Sequence, residues 1–180
     1  AQPMVSQSQR FVISFNGEIY NYLEIKNDLL NIGAKFRGTS DTEVILEAID
    51  HWGFQATLSK ARGMFAIAVW DASEKTLLLA RDRIGKKPLY IYEDADSLYF
   101  GSEIKSFLGL PELKLEVSNQ SLFDYLSLGY VLGSNTIYKQ IHEVKPGTML
   151  KIGIDPRVRS EQRYWHFPNK VYAVSSAEEI

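Results

Sequence analysis

Seven consecutive apolar residues, Met64-Phe65-Ala66-Ile67-Ala68-Val69-Trp70, constrain this chain more than any other stretch. Along an extended strand alternate side chains face opposite sides, so a run that is apolar in both sets needs cover on both faces of its sheet. A second run, Thr76-Leu77-Leu78-Leu79-Ala80, follows the turn-sized polar interval Asp71-Ala72-Ser73-Glu74-Lys75. The two read as a hairpin inside a layered core.

Shorter strands surround this pair. Phe11, Val12, Ile13 and Phe15 form one, Leu89-Tyr90-Ile91-Tyr92 and Leu98-Tyr99-Phe100 form a second hairpin, and Gly147-Thr148-Met149-Leu150-Lys151-Ile152 forms a late strand after Pro146. Helices are marked by Leu23, Leu29, Leu30 and Ile32 ahead of Gly33, and by the cap Ser40-Asp41-Thr42-Glu43 ahead of an apolar stretch that Gly53 ends. Residues 103–108 and 121–128 read as further helices. Helices clustered apart from consecutive hairpins indicate an α+β fold rather than βαβ repeats. With 180 residues, 45% of them hydrophobic, the chain can bury one substantial core.

A formal net charge of −2 favours neither nucleic acid nor an anionic membrane as the main partner. Residues 1–10 lack the apolar segment of a signal peptide, and no apolar run reaches spanning length, so the chain reads as soluble and cytoplasmic. Zero cysteines exclude disulfides, thiolate metal sites and a cysteine nucleophile within these residues. His51, His142 and His166 share no metal-ligand spacing. The cations of Arg81-Asp82-Arg83-Ile84-Gly85-Lys86-Lys87-Pro88-Leu89 suit either a phosphate-binding or partner-binding loop or a solvated, salt-bridged connector, and the connector is the simpler reading. Paired-carboxylate chemistry has only weak support from spacing.

Phe15-Asn16-Gly17-Glu18-Ile19-Tyr20-Asn21 is the stretch that carries chemistry. It reads as a loop joining a strand to a helix, with Asn21-Tyr22-Leu23-Glu24 at capping-box spacing; its structural alternative is a hairpin turn around Asn-Gly. Asn16, through its side-chain amide, and Gly17, through its backbone N–H, could stabilise a carbonyl oxygen that becomes negative in acyl transfer. Glu18 and Asp41 could bind the ammonium of an amino acid, or serve only as helix-start carboxylates.

Several motifs agree with one another: Gln2-Pro3-Met4, the stretch from Phe15 to Asn21, Ser40-Asp41-Thr42-Glu43, Arg62-Gly63-Met64-Phe65-Ala66, the stretch from Ala80 to Tyr90, and Gly101-Ser102-Glu103-Ile104-Lys105. In this order and spacing they resemble the glutaminase domain of glutamine-hydrolysing asparagine synthetases, from residue 2 to Arg163-Tyr164-Trp165. The resemblance implies a class II glutamine amidotransferase: an N-terminal-nucleophile hydrolase with an αββα sandwich of antiparallel sheets. It implies that glutamine is the substrate, that Asn16 and Gly17 form an oxyanion hole, and that Glu18 and Asp41 hold the amino-acid end of glutamine. In that family an N-terminal cysteine attacks the glutamine amide, with its own α-amino group as base, and ammonia leaves from a glutamyl thioester.

The Met-Cys-Gly-Ile start and the Arg-Gly-Pro-Asp region expected ahead of Gln2 are missing, and neither Ala1 nor a serine such as Ser6 or Ser8 replaces the nucleophile. The resemblance therefore implies a partial amidotransferase domain over residues 1–168, incomplete at its N-terminus and inactive by itself. Residues 169–180 are then a tail or linker toward an absent synthetase domain, which in the family uses ATP and magnesium to activate aspartate. The 180 residues themselves are expected to need no cofactor or metal. A sheet edge left unpaired by the missing segment is expected to promote homo-oligomers. Two alternatives remain: an amidotransferase acting on a sugar carboxylate in polysaccharide synthesis, and a noncatalytic interaction module.

Overall fold

Residues 2–94, 97–155 and 159–168 are described by a computed structural model. In chain order their elements are β1 (Met4–Val5), β2 (Phe11–Ile19), α1 (Tyr22–Asn31), α2 (Asp41–Trp52), α3 (Phe54–Lys60), β3 (Gly63–Asp71), β4 (Thr76–Arg81), β5 (Tyr90–Glu93) and β6 (Leu98–Gly101). There follow α4 (Lys105–Leu108), α5 (Asn119–Leu128), β7 (Ile141–Glu143), β8 (Thr148–Ile152) and β9 (Arg159–Arg163). Two antiparallel sheets result, one of order β1-β2-β3-β4-β8-β9 and a smaller one of order β6-β5-β7.

The apolar run expected to need cover on both faces has it. Phe65, Ile67 and Val69 pack with Ile13, Phe15, Leu29, Ile45 and Ile49 on the side of α1 and α2. Ala66 and Ala68, on the opposite face, pack with Leu79, Leu89, Ile91, Val144 and Leu150, which fill the space between the sheets. Each fully buried Ile or Leu of this kind contributes about 1.5–3 kcal/mol. A third cluster of Tyr92, Phe107 and Ile141, flanked by Leu113 and Leu115, covers the outer face of the small sheet. The layers are helix, sheet, sheet and a thin outer layer in which α4 is a single turn.

Local chemistry explains the helix starts. At α2 the Ser40 hydroxyl accepts from the Glu43 N–H (3.2 Å), and the Glu43 carboxylate turns back to accept from the Arg37 and Gly38 N–H groups (2.6 and 2.8 Å). The capping box expected at Asn21 does not form. Asn21 donates to the Lys60 carbonyl (3.1 Å) and accepts from the Arg62 N–H (2.8 Å), while Glu24 receives both its bonds from the Arg62 guanidinium. Tertiary contacts with the chain ahead of β3 thus take both side chains away from their own helix. The helix expected over 103–108 shortens to α4.

Three strands and a helix escaped the sequence reading, each for a physical reason. β1 has two residues, β7 has three, and β9, Arg-Ser-Glu-Gln-Arg, is polar and exposed throughout. These are strands because a neighbouring ladder pairs them, not because of their own pattern. α3 is a seven-residue helix, too short to show a period. Residues 169–180, expected as a tail or linker, lie outside the described residues. Among the described residues no helix is long and apolar enough to cross a membrane.

Candidate active site at the edge of strand β2

β2 is longer than the sequence suggested: Asn16, Gly17 and Glu18 belong to the strand, and only Tyr20 and Asn21 connect it to α1. Neither the ligand loop nor the hairpin turn is present. Pairing with β3 extends this strand, with Gly17 opposite Phe65 and Ile19 opposite Gly63. A Cβ at Gly17 would overlap the Met64 carbonyl, and one at Gly63 would overlap the Glu18 carbonyl, so two glycines permit this close approach.

The direction of each backbone group follows from the ladder. Tyr20 N–H donates to the Arg62 carbonyl (2.7 Å) and Ala72 N–H to the Arg10 carbonyl (2.9 Å), so the even-numbered residues of β2 exchange bonds with β3. Phe65, opposite Gly17, instead directs its N–H to Asp82 Oδ2 (3.2 Å) and its carbonyl to the Asp82 N–H (2.8 Å). The odd-numbered residues of β2 therefore turn their N–H groups away from β3, toward the edge. There the Phe15 N–H donates to Gln2 Oε1 (2.6 Å) and the Ile19 N–H donates to Asp41 Oδ2 (3.0 Å). The Gly17 N–H, between them, faces no acceptor among the described residues.

Asn16 stands on the sheet face opposite the α1–α2 core, and its Nδ2 donates to Ser102 Oγ at 3.0 Å. It lines a cleft of about 170 Å³ between the sheets, together with Ser14, Ala66, Ala68, Phe100 and Ser102. Glu18 is exposed two residues further along the same face. Asp41 opens α2, where Ser40 holds the N-cap position; its Oδ1 accepts from the Thr42 N–H (2.8 Å), while Oδ2 reaches β2. The four candidates thus gather along one stretch of strand edge, with Asp41 fixing the end of that stretch.

Gln2 and Ser102 fall within the family motifs, yet their sequence context assigns neither of them to the site. No local pattern could do so, because their partners lie 13 and 86 positions away. The cationic segment after β4 is a salt-bridged connector, but it is not solvated at its start, where Arg81 and Asp82 are buried because each satisfies several backbone groups. Asp82, fully buried, accepts from the N–H groups of Phe65, Ile84, Lys86 and Lys87, and Arg81 donates to the Gly85, Lys87 and Val144 carbonyls. Among the described residues no cluster of three or more His, Asp or Glu could hold a metal ion.

A family model described as a glutamine amidotransferase domain matches residues 1–165. Asparagine synthetase [glutamine-hydrolyzing] 1 of Bacillus subtilis is 38% identical over 154 residues, spanning 86% of this chain and 24% of that protein. Amidase chyE of Penicillium rubens is 36% identical over 183 residues, spanning 99% of this chain and 26% of that protein. The chain thus spans about a quarter of the length of these curated relatives. Glutamine phosphoribosylpyrophosphate amidotransferase from B. subtilis shares the fold, with a TM-score of 0.63 over 92% of this chain and 32% of that chain at 24% identity. Two antiparallel sheets layered with helices, the motifs along β2 and the match over residues 1–165 place this chain in the glutamine amidotransferase domain family, with the N-terminal-nucleophile hydrolase fold.

Proposed function

We propose that this chain is the glutaminase part of a glutamine-dependent asparagine synthetase, which releases ammonia from the glutamine side chain for ATP-dependent amidation of aspartate. One observation carries the reading: on the open edge of β2 the Gly17 N–H faces no acceptor among the described residues, while its neighbours in the same row are closed by Gln2 and Asp41. An unused backbone donor beside a carboxamide is what a developing oxyanion requires. Asn16 and Gly17 serve as that pair. Glu18 and Asp41 hold the amino-acid end of glutamine, since two residues of strand, about 7 Å, span a distance comparable to an extended glutamine side chain. The nucleophile lies outside these residues, and so do the ATP and magnesium sites. The domain occupies residues 1–168, acts in the cytoplasm, and docks on the amidating part that accounts for the remaining length of the relatives.

Mutation separates the roles. In the complete product of the gene that encodes this chain, Asn16→Ala should lower kcat for glutamine hydrolysis about 10²–10³-fold with little change in KM, the loss expected for one oxyanion donor. Glu18→Gln and Asp41→Asn should mainly raise KM. Unchanged kcat in Asn16→Ala would overturn the assignment. The 180 residues alone should release no glutamate from glutamine above a blank.

A second reading has one observation in its favour, the likeness to an amidase over nearly the whole chain. In that case the same glutamine chemistry supplies ammonia to an acceptor other than aspartate. Assay of the complete gene product with aspartate, and with sugar carboxylates in its place, decides between the acceptors.

A further inference from the structure

The six-stranded sheet has a second concavity, on the face opposite the Asn16 cleft. Register places Thr76 and Leu78 of β4, Met149 and Lys151 of β8, and Ser160 and Gln162 of β9 on the same face as Val69, the face that α1 and α2 cover over β2 and β3. Toward β9 a hollow of about 300 Å³ remains between this face and the start of α3. Its floor is apolar, formed by Leu78, Met149 and Phe54, with polar groups around the rim. An apolar floor with a few convergent polar groups at this volume is the usual form of a small-ligand site.

The charges of the lining specify the ligand. Arg10 and Asp71 are used up on each other through two bonds, Nε to Oδ1 at 2.9 Å and Nη2 to Oδ2 at 2.7 Å. Glu74 and Lys151 also line the hollow from exposed positions; neither side chain forms a hydrogen bond or ion pair with any described residue, although Glu74 lies within the electrostatic reach of Arg10. Glu74 lies in the turn between β3 and β4, whereas Lys151 stands on β8 opposite Leu78. One anion and one cation that form no ion pair thus stand on the rim of an apolar floor. A ligand with a single charge satisfies only one of them.

We propose that this hollow binds a free α-amino acid with an apolar side chain. Its ammonium meets Glu74, its carboxylate meets Lys151, and its side chain lies on Leu78, Met149 and Phe54. The site is separate from the strand edge that carries Asn16 and Gly17, so it is a second site rather than part of the glutamine site, and it does not depend on the reading of that edge.

The test is a titration of the 180-residue chain followed by backbone amide NMR, with L-phenylalanine, 3-phenylpropionate and 2-phenylethylamine as probes. L-Phenylalanine should give saturable shifts centred on Leu78, Met149 and Ser160, and each singly charged analogue should bind about tenfold more weakly, as expected for one lost charged contact. Lys151→Gln should remove the advantage of L-phenylalanine over 2-phenylethylamine, and Glu74→Gln its advantage over 3-phenylpropionate. Both positions are on the rim, so melting temperatures near the parent value will show that the variants are folded. The absence of saturable shifts in this region, or affinities that neither variant changes, would overturn the proposal.

Discussion

Glu47 lies on α2 with 2% of its surface exposed, and its Oε1 accepts from the Gln7 N–H at 3.0 Å. Burial pushes its carboxyl above the ordinary 4.5, against the smaller opposing pull of that N–H. The folded state therefore holds the proton more tightly than the unfolded state. Stability from this group is complete below about 4.5 and is lost as pH rises through the raised value. Glu47→Gln keeps an acceptor for Gln7 and carries no charge. Its melting temperature relative to the parent should therefore rise between pH 4 and pH 7, and a difference that stays constant with pH would refute this account. The same contrast between pattern and partner governs the site. Asn16 and Gly17 stand out in the sequence as a candidate donor pair because an amide beside a glycine is recognisable, but the same residues suggest a loop rather than a strand. Nothing in the local residues says that β3 runs alongside and extends the strand through Ile19.

Among the elements, α2 was the most legible, since its cap, apolar stretch and glycine stop act within a dozen residues, and its first turn forms as the spacing implies. α5 was legible as a helix but not in its placement. It buries Ser121 and Asp124, while Leu122, Phe123, Tyr125, Leu126 and Leu128 are 40–75% exposed, the reverse of a helix packed by its apolar side. Such a surface favours association with other apolar surfaces. In the isolated chain it should promote self-association: sedimentation velocity should show a concentration-dependent species that Leu126→Glu diminishes, with helix content unchanged. A parent chain that remains monomeric at high concentration would argue against an uncovered face. Exposure was not readable from periodicity, because periodicity identifies an apolar side without identifying what covers it.

For the molecule as a whole, the decisive link is the connector from the large sheet to the small one. Asp82 gathers four backbone N–H groups where the chain leaves β4, and Arg81 holds three carbonyls on either side of it and pairs with Glu143 at 2.9 Å. Asp82→Ala would leave several of those donors without partners in a buried position, each worth about 1–3 kcal/mol, so a loss of at least about 3 kcal/mol is expected in urea unfolding. A loss below 1 kcal/mol would mean that water replaces the carboxylate. The sequence by itself determined the central hairpin, the capped helix, the α+β class and the motifs of the family, because these rest on periodicity and on residue chemistry within short spans. Tertiary structure alone decided which backbone donor stays open among the described residues. Ladder parity turns the odd-numbered N–H groups of β2 to the edge, Gln2 and Asp41 close two of them, and Ser102 orients Asn16. Those partners meet only after the sheets have paired, and pairing register is a property of distant segments that no local pattern encodes.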